Sequence, residues 1–94
     1  MKIAWTPLAL SDLHNAYDYI AEERASSAAY VIARIEEAVQ ALARYPTMGR
    51  PGRVEGTREL VASDTPFIIA YRVKEKRVEI LSVIHTARTR PEEL

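Results

Sequence analysis

The second half of the chain carries four side chains that could act on an anionic target. Three are arginines and one is a histidine: Arg58, Arg72, Arg88 and His85. Guanidinium groups bind carboxylates and phosphates through paired hydrogen bonds, and an imidazole can move a proton near neutral pH. Such a set is suited to holding an acidic partner. It is also suited to RNA cleavage, which needs a proton donor or acceptor and cations around the reacting phosphate.

Three strand-like segments position these side chains. They cover residues 58–62, 67–73 and 78–84. Their apolar and β-branched residues favour strands, and the polar links at 63–66 and 74–77 predict tight turns between them. The last segment is apolar on both alternating faces except at Glu79 and Ser82, so we expect it in the middle of a sheet.

A short strand and a first helix are predicted at the amino terminus. Residues 2–5 form the strand, Thr6 can cap the helix, and Pro7 suits its first position because proline has no N–H to leave unsatisfied. The apolar residues of this helix recur at spacings of three and four, which places them on one stripe. That stripe comprises Leu10, Leu13, Tyr17 and Ile20.

A second helix follows a break at residues 24–27, where Ser26 and Ser27 are expected to cap it. Its apolar stripe comprises Val31, Ile35, Ala38 and Leu42. Tyr45 and Pro46 are expected to end it. Because the link between the helices is short, they are predicted to form an antiparallel hairpin packed on the sheet.

The segment 46–56 holds all three glycines and two of the five prolines, so we interpret it as a loop. Arg50 and Arg53 give this loop positive charge, which is compatible with a plain surface connection or with a binding role. Trp5 is open to two interpretations as well: an aromatic at an interface, or ordinary packing. The tyrosines are expected to be packing residues.

Composition bounds the remaining possibilities. The 94 residues suffice for one hydrophobic core, so residues 1–94 are expected to form a single domain. The chain has no cysteine, which excludes disulfides and thiolate metal sites. We predict no metal, no cofactor, no signal peptide and no membrane span, and we expect a cytoplasmic protein.

Charge is unevenly spread although its sum is zero. Residues 50–90 carry nine basic and five acidic side chains, whereas residues 1–49 carry four basic and six acidic ones. The basic second half suggests an acidic partner.

The order of elements, together with several short motifs, resembles the RelE/ParE superfamily of bacterial toxins from toxin–antitoxin modules. The motifs are Trp5-Thr6-Pro7-Leu8-Ala9 with Asp12-Leu13, Tyr45-Pro46, Gly49-Arg50, residues 56–61, Tyr71-Arg72-Val73, and His85 with Arg88. The resemblance implies an α+β, RelE-like fold: an N-terminal strand and an antiparallel two-helix hairpin packed on a largely antiparallel four-stranded sheet. It also implies neutralisation by a cognate, ParD-like antitoxin.

Two functional classes share this fold, one cleaving ribosome-bound mRNA and one poisoning DNA gyrase. By the resemblance, Ile68 stands where the nuclease class has a sheet arginine, and Thr86 stands where it has a basic residue. The tyrosine that this class carries near its carboxyl terminus has no counterpart in residues 89–94. A nuclease using His85 with Arg58, Arg72 and Arg88 remains the alternative, although a lone histidine at a strand end is more often structural.

The predicted function is therefore that of a ParE-like toxin that inhibits DNA gyrase by binding. The expected partners are the antitoxin and gyrase, with no membrane partner and with operator DNA contacted only through the antitoxin. The residues expected to bind partners are Trp5, Arg50, Arg53, Arg58, Arg72, His85 and Arg88. The alternatives are a ribosome-dependent mRNA endonuclease and a non-toxic binding module derived from the same fold.

Overall fold

Two helices and five strands make up the computed structural model, which describes residues 1–88. In chain order they are β1 (Lys2–Trp5), α1 (Pro7–Ala21), α2 (Ala25–Arg44), β2 (Arg50–Pro51), β3 (Arg58–Val61), β4 (Phe67–Lys74) and β5 (Arg77–His85). A short 3-10 turn at Thr86–Arg88 follows β5. The helices form the predicted hairpin, and the fold is the predicted α+β class.

The first helix begins as the sequence predicts. The hydroxyl oxygen of Thr6 accepts a hydrogen bond from the backbone N–H of Ala9 at 3.1 Å, and Pro7 occupies the first turn. The prediction for α2 was wrong in one respect. Arg24 is its N-cap without a side-chain hydrogen bond, and Ser26 and Ser27 lie inside its first turn.

The stripe predicted for α2 packs against the core, but the stripe predicted for α1 is only partly right. Leu13 and Ile20 pack on the core, whereas Leu10 and Tyr17 are 46% and 42% exposed. The buried residues of α1 are small ones, Ala9 and Ala16. Ala9 and Ala16 belong to the core cluster, so the helix packs on the core through small side chains, which leave little space between close-packed elements. None of the helices within residues 1–88 is long and apolar enough to cross a bilayer.

The strands form one sheet in the order β1-β5-β4-β3-β2. The pair β1 and β5 is parallel and the other pairs are antiparallel. As predicted, β5 lies inside the sheet. The sheet has five strands and not the expected four, because Arg50–Pro51 in the loop pairs with Arg58 and Glu59 of β3.

One face of the sheet, here called the helix-covered face, forms the core with the two helices. It carries Phe67, Ile69, Tyr71, Val78, Ile80 and Val83. The opposite face, called the outer face, carries Ile68, Ala70, Arg72, Lys74, Arg77, Glu79 and Ile84. A register shift lies between Ala70 and Tyr71, where Ser82 and Ile80 are the partners and Leu81 is the extra residue.

Asp12 of α1 completes the edge of β5 where β1 ends. One of its carboxylate oxygens accepts hydrogen bonds from the Ser82 hydroxyl at 2.7 Å and the Val83 backbone N–H at 3.0 Å. Nearer to β1, the backbone N–H of Thr6 donates to the Ile80 carbonyl at 3.1 Å. A helix side chain therefore satisfies an edge N–H that would otherwise be open to another strand.

Candidate partner-binding surface

The two strand arginines lie on opposite faces of the sheet. Arg58 pairs across β3 and β4 with Tyr71, whose ring is buried in the core on the helix-covered face. Arg72 follows Tyr71 in sequence and lies on the outer face, because successive strand residues alternate between faces. These two predicted site residues are therefore not brought together.

Arg58 holds the loop that follows α2. Its Nη1 donates to the carbonyl oxygen of Gly49 at 2.7 Å and to that of Thr47 at 3.4 Å. The same loop is held from below by the Tyr71 hydroxyl, which accepts from the Gly49 N–H at 2.9 Å and donates to the Pro46 carbonyl at 2.8 Å. The guanidinium of Arg58 is engaged in positioning this loop.

Gly49 lies so close to Tyr71 that no larger residue fits there. A Cβ added to Gly49 would lie 2.7 Å from the Tyr71 hydroxyl oxygen and 2.8 Å from the Glu59 carbonyl oxygen. Both distances are well inside van der Waals contact, and one obstacle is backbone. The Gly49-Arg50 motif thus has a structural cause in the contact between this loop and the sheet.

Arg72 forms an ion pair with Glu79, its direct neighbour on β5. Arg72 Nε lies 2.5 Å from a Glu79 carboxylate oxygen, and the two side chains are 43% and 17% exposed. The hydrogen bond from Arg72 is the main cause that lowers the pKa of Glu79 below its ordinary value, and desolvation opposes it. The positive charges of Arg72, Arg77 and Lys74 lower it further.

The Arg50 guanidinium and the Arg53 backbone both contact one buried carboxylate, Glu59, which was not predicted from the sequence. Glu59 is only 8% exposed on the outer side of β3. It accepts a hydrogen bond from the Arg53 backbone N–H at 3.1 Å and lies 3.5 Å from the Arg50 guanidinium. The carboxylate fixes the loop by hydrogen bonding. The only sequence signal for the burial of Glu59 was its position between Arg58 and the apolar Leu60. That position is equally typical of an exposed residue.

His85 lies at the other end of the sheet from Arg72. Its ring packs edge-on against Phe67 and Tyr19, with centroids 5.0 and 5.9 Å apart, and its Nδ1 accepts the Ala87 backbone N–H at 3.1 Å. Phe67 of β4 is the register partner of His85, and Arg72 follows Phe67 by five residues on the same strand. Arg72 and His85 are therefore roughly 17 Å apart along the sheet.

The His85 ring lines a polar cleft of about 500 Å³ between α1 and the end of β5. The other polar residues of this cleft are Asp12, Asn15, Tyr19 and Glu22. Asp12 is already used at the β5 edge, as described above. Among residues 1–88, the side chains of His, Asp and Glu do not gather in the manner of a metal site.

Trp5 is partly buried and packs against the core at the end of β1, so packing accounts for part of its surface. Arg88 ends the 3-10 turn after β5, and its side chain lies outside the described part of the structure. Residues 89–94, where a terminal tyrosine is missing from the sequence, also lie outside it.

Among the described residues, the outer face and the helical hairpin each carry an apolar groove large enough to receive side chains of a partner. The outer-face groove, about 220 Å³, is lined by Leu8, Arg53, Val54, Thr57, Glu59, Ala70, Leu81, Ser82 and Ile84. Leu8 and Val54 at its rim are 60% and 53% exposed, which is high for apolar residues. The helix groove, also about 220 Å³, lies on the hairpin and is lined by Leu13, His14, Tyr17 and Ile32.

Comparison with known proteins places this geometry in a family. The family model for the ParE toxin of the type II toxin–antitoxin system, parDE, matches residues 3–90. The Y4kP protein of Sinorhizobium fredii is 48% identical over 93 residues, covering 99% of this chain and 96% of that protein. Toxin RelE2 of Caulobacter vibrioides is 36% identical over 87 residues, covering 93% and 97%.

A solved structure agrees in fold as well as in sequence. The chromosomal ParDE toxin–antitoxin system from P. aeruginosa contains a chain that is 32% identical, with a TM-score of 0.82. The match covers 90% of this chain and 95% of that one. The chain therefore belongs to the ParE toxin family and is the toxin component of a type II toxin–antitoxin system.

Proposed function

We propose that this toxin acts in the cytoplasm by binding DNA gyrase, without cleaving RNA, and that a cognate antitoxin neutralises it. One observation carries the proposal: the cationic and acid–base groups of the described chain do not converge. Arg58 holds a loop on one face, Arg72 is paired with Glu79 on the other, and His85 lies at the far end of the sheet.

RNA cleavage makes a stricter demand on geometry than binding does. A proton acceptor or donor and cations must meet within hydrogen-bond reach of one phosphate, and groups that act as a unit lose most of their effect when one is absent. At the place where the nuclease class has a sheet arginine, this chain has Ile68, which is 6% exposed on the outer face. These features support a toxin that acts by occupying a surface.

The apolar grooves support the antitoxin part of the proposal. The outer-face groove and the helix groove expose apolar side chains on two sides of one small domain, and such patches are association sites. An antitoxin with an amphipathic helix and an extended segment would cover both, burying well over ~1,000 Å². Acidic antitoxin side chains would meet Arg50, Arg53 or Arg72, which lie at or near the surface.

A supercoiling assay combined with mapping of message ends tests the target. The wild-type toxin is expected to block gyrase-dependent supercoiling in a purified system and to leave ribosome-bound mRNA intact. His85→Ala is expected to keep this inhibition, and His14→Ala, at an exposed position on α1, is the matched control. Normal supercoiling together with message cuts that vanish only in His85→Ala would reverse the assignment.

The mRNA endonuclease is the second candidate. The 36% identical relative bears the name RelE2, and His85 lines a polar cleft. If neither supercoiling nor messages change and growth is unaffected, the chain is a non-toxic binding module. Co-expression with the neighbouring antitoxin gene is expected to restore growth, and failure to form a complex would contradict the antitoxin part.

A further inference from the structure

A row of cations crosses three neighbouring strands at the hairpin end of the sheet. Lys2 of β1 is in register with Arg77 of β5, and Arg77 is in register with Lys74 of β4. All three residues are exposed, and partners in register share a face, which here is the outer face. Lys76, also exposed, stands at the tip of the turn between β4 and β5. We call these four residues the cation row.

The cation row is not balanced by nearby carboxylates. Within residues 1–88, Arg77 pairs with Glu75 at 3.6 Å, and no carboxylate lies within ion-pair distance of Lys2, Lys74 or Lys76. The adjacent Glu79 is already hydrogen-bonded to Arg72. With Arg72 counted, this end of the outer face holds five cationic side chains and two carboxylates, a surplus of three positive charges.

The cation row lowers the stability of the folded chain, for two reasons. Like charges directly opposite each other on neighbouring strands repel, and the strands are only about 4.8 Å apart. The turn adds a second cost, because Glu75 and Lys76 have φ angles of 54° and 61°. Asparagine or glycine would adopt this left-handed conformation more easily, and such residues dominate two-residue hairpin turns of this type. The chain instead places one more lysine at the tip.

We propose that the cation row binds the phosphodiester backbone of duplex DNA without reading its sequence. Lysines and an arginine spread over roughly 10 Å match a line of phosphates, and counterion release supplies the binding free energy. The outer-face positions beside the row are Ala4, Arg72 and Glu79, so this end offers no aromatic ring on which an unpaired base could stack. Single-stranded RNA recognition relies on such rings, which favours a duplex.

This inference goes beyond the proposed function, and the four residues of the cation row are not among those assigned to that function. It concerns contact with any duplex, and is distinct from operator recognition through the antitoxin. A toxin that acts on a DNA-bound enzyme would gain from such contact, but the binding itself does not depend on gyrase. A titration with DNA alone therefore tests it separately from the supercoiling assay.

The test is a fluorescence anisotropy titration of the full chain with a labelled duplex of about 25 base pairs, from about 50 to 200 mM salt. Contact with three or four phosphates predicts a slope of log affinity against log salt of roughly −3 to −4. Lys74→Gln/Lys76→Gln is expected to weaken binding roughly tenfold and to make that slope shallower by about 2. Its thermal midpoint should stay the same or rise, because repulsion is relieved.

The matched control is Arg24→Gln/Arg44→Gln, which removes two exposed cations from the helices and changes the net charge equally. It is expected to leave DNA binding within about twofold. Equal losses in both double variants would overturn the proposal, because the effect would then be diffuse charge alone. So would an absence of duplex binding by the wild type at low salt, or tighter binding of single-stranded RNA. Unchanged DNA binding by Lys74→Gln/Lys76→Gln, together with weakened antitoxin binding, would also overturn the proposal and would show that the cation row is a protein interface.

Discussion

Neighbouring residues of β4 and β5 lie in opposite environments on the two faces of the sheet. Tyr71 of β4 and Ile80 of β5 are fully buried on the helix-covered face. Arg72 follows Tyr71 and Glu79 precedes Ile80, and these two residues form an ion pair on the outer face. Volume constrains the first pair, since a close-packed interior tolerates few gaps. Charge and hydrogen bonding constrain the second. Substitutions of Arg72 and Glu79 are therefore expected to cost less stability than substitutions of Tyr71 and Ile80.

The largest expected effect tests the difference between the faces directly. Ile80→Ala removes a fully buried side chain and is expected to lower the free energy of unfolding by about 2–5 kcal/mol. Leu81→Ala, at the adjacent half-buried position on the rim of the outer-face groove, is expected to cost about 1 kcal/mol. Urea denaturation of both variants measures the contrast. Equal losses would show that the outer face is as tightly packed as the core.

A smaller effect is expected where the core meets the loop. Tyr71→Phe keeps the ring and removes the hydroxyl that bonds to Gly49 and Pro46, leaving a loop N–H and a carbonyl without their partner. We expect a loss of about 1–3 kcal/mol and faster hydrogen exchange of the Gly49 amide. Tyr45→Phe, at a residue 60% exposed, is the control and should change neither quantity. An unchanged exchange rate in Tyr71→Phe would mean that the hydroxyl does not hold the loop.

The helix-covered face was largely predictable from the sequence. The apolar residues on both faces of β5 predicted its place inside the sheet, and Thr6 with Pro7 identified the start of α1, because residue pattern and capping are local signals. The errors on α1 have one cause. The spacing of the large apolar residues assigned Leu10 and Tyr17 to the core, but the buried positions of α1 are those of the small residues Ala9 and Ala16.

The candidate site was predictable only as a set of residue types. The sequence could not show that Arg58 and Arg72 lie on opposite faces of the sheet, Arg58 against the loop after α2 and Arg72 beside Glu79. Register and cross-strand partners depend on residues that are far apart in the sequence. Glu59 was missed for the same reason, since its burial depends on a loop folding back over β3. The assignment to partner binding remains a prediction for all seven residues: Trp5, Arg50, Arg53, Arg58, Arg72, His85 and Arg88.

The two strand arginines give the next comparison. Arg58→Ala removes hydrogen bonds to two loop carbonyls and is expected to lower the free energy of unfolding by roughly 1–2 kcal/mol. Arg72→Ala breaks a partly exposed ion pair and should leave the thermal midpoint within a few degrees, on the order of ~1 kcal/mol or less. It is expected to weaken antitoxin binding or toxicity. Calorimetry measures the stability of both variants, and an antitoxin titration measures their binding. Unfolding of Arg72→Ala at room temperature would assign Arg72 a structural role.

The smallest expected effect is a pH dependence on the outer face. The pKa of Glu79 is lowered in the folded state, chiefly by the hydrogen bond from Arg72, so the folded protein favours the ionised carboxylate more than the unfolded chain does. The stabilisation is therefore fully present at neutral pH. It is lost as the pH falls below the ordinary value of 4.5 and through the lowered folded pKa.

Glu79→Gln keeps the size of this side chain and removes its charge, so its stability difference from the wild type isolates that contribution. The wild type is expected to be the more stable protein at pH 7, and the gap should narrow as the solution is acidified below about pH 5. Glu75→Gln, at an exposed turn carboxylate, controls for the loss of one negative charge. Chemical denaturation at several pH values gives the measurement. A gap that stayed constant or widened on acidification would show that Arg72 stabilises the sheet by packing and not through the charge of Glu79.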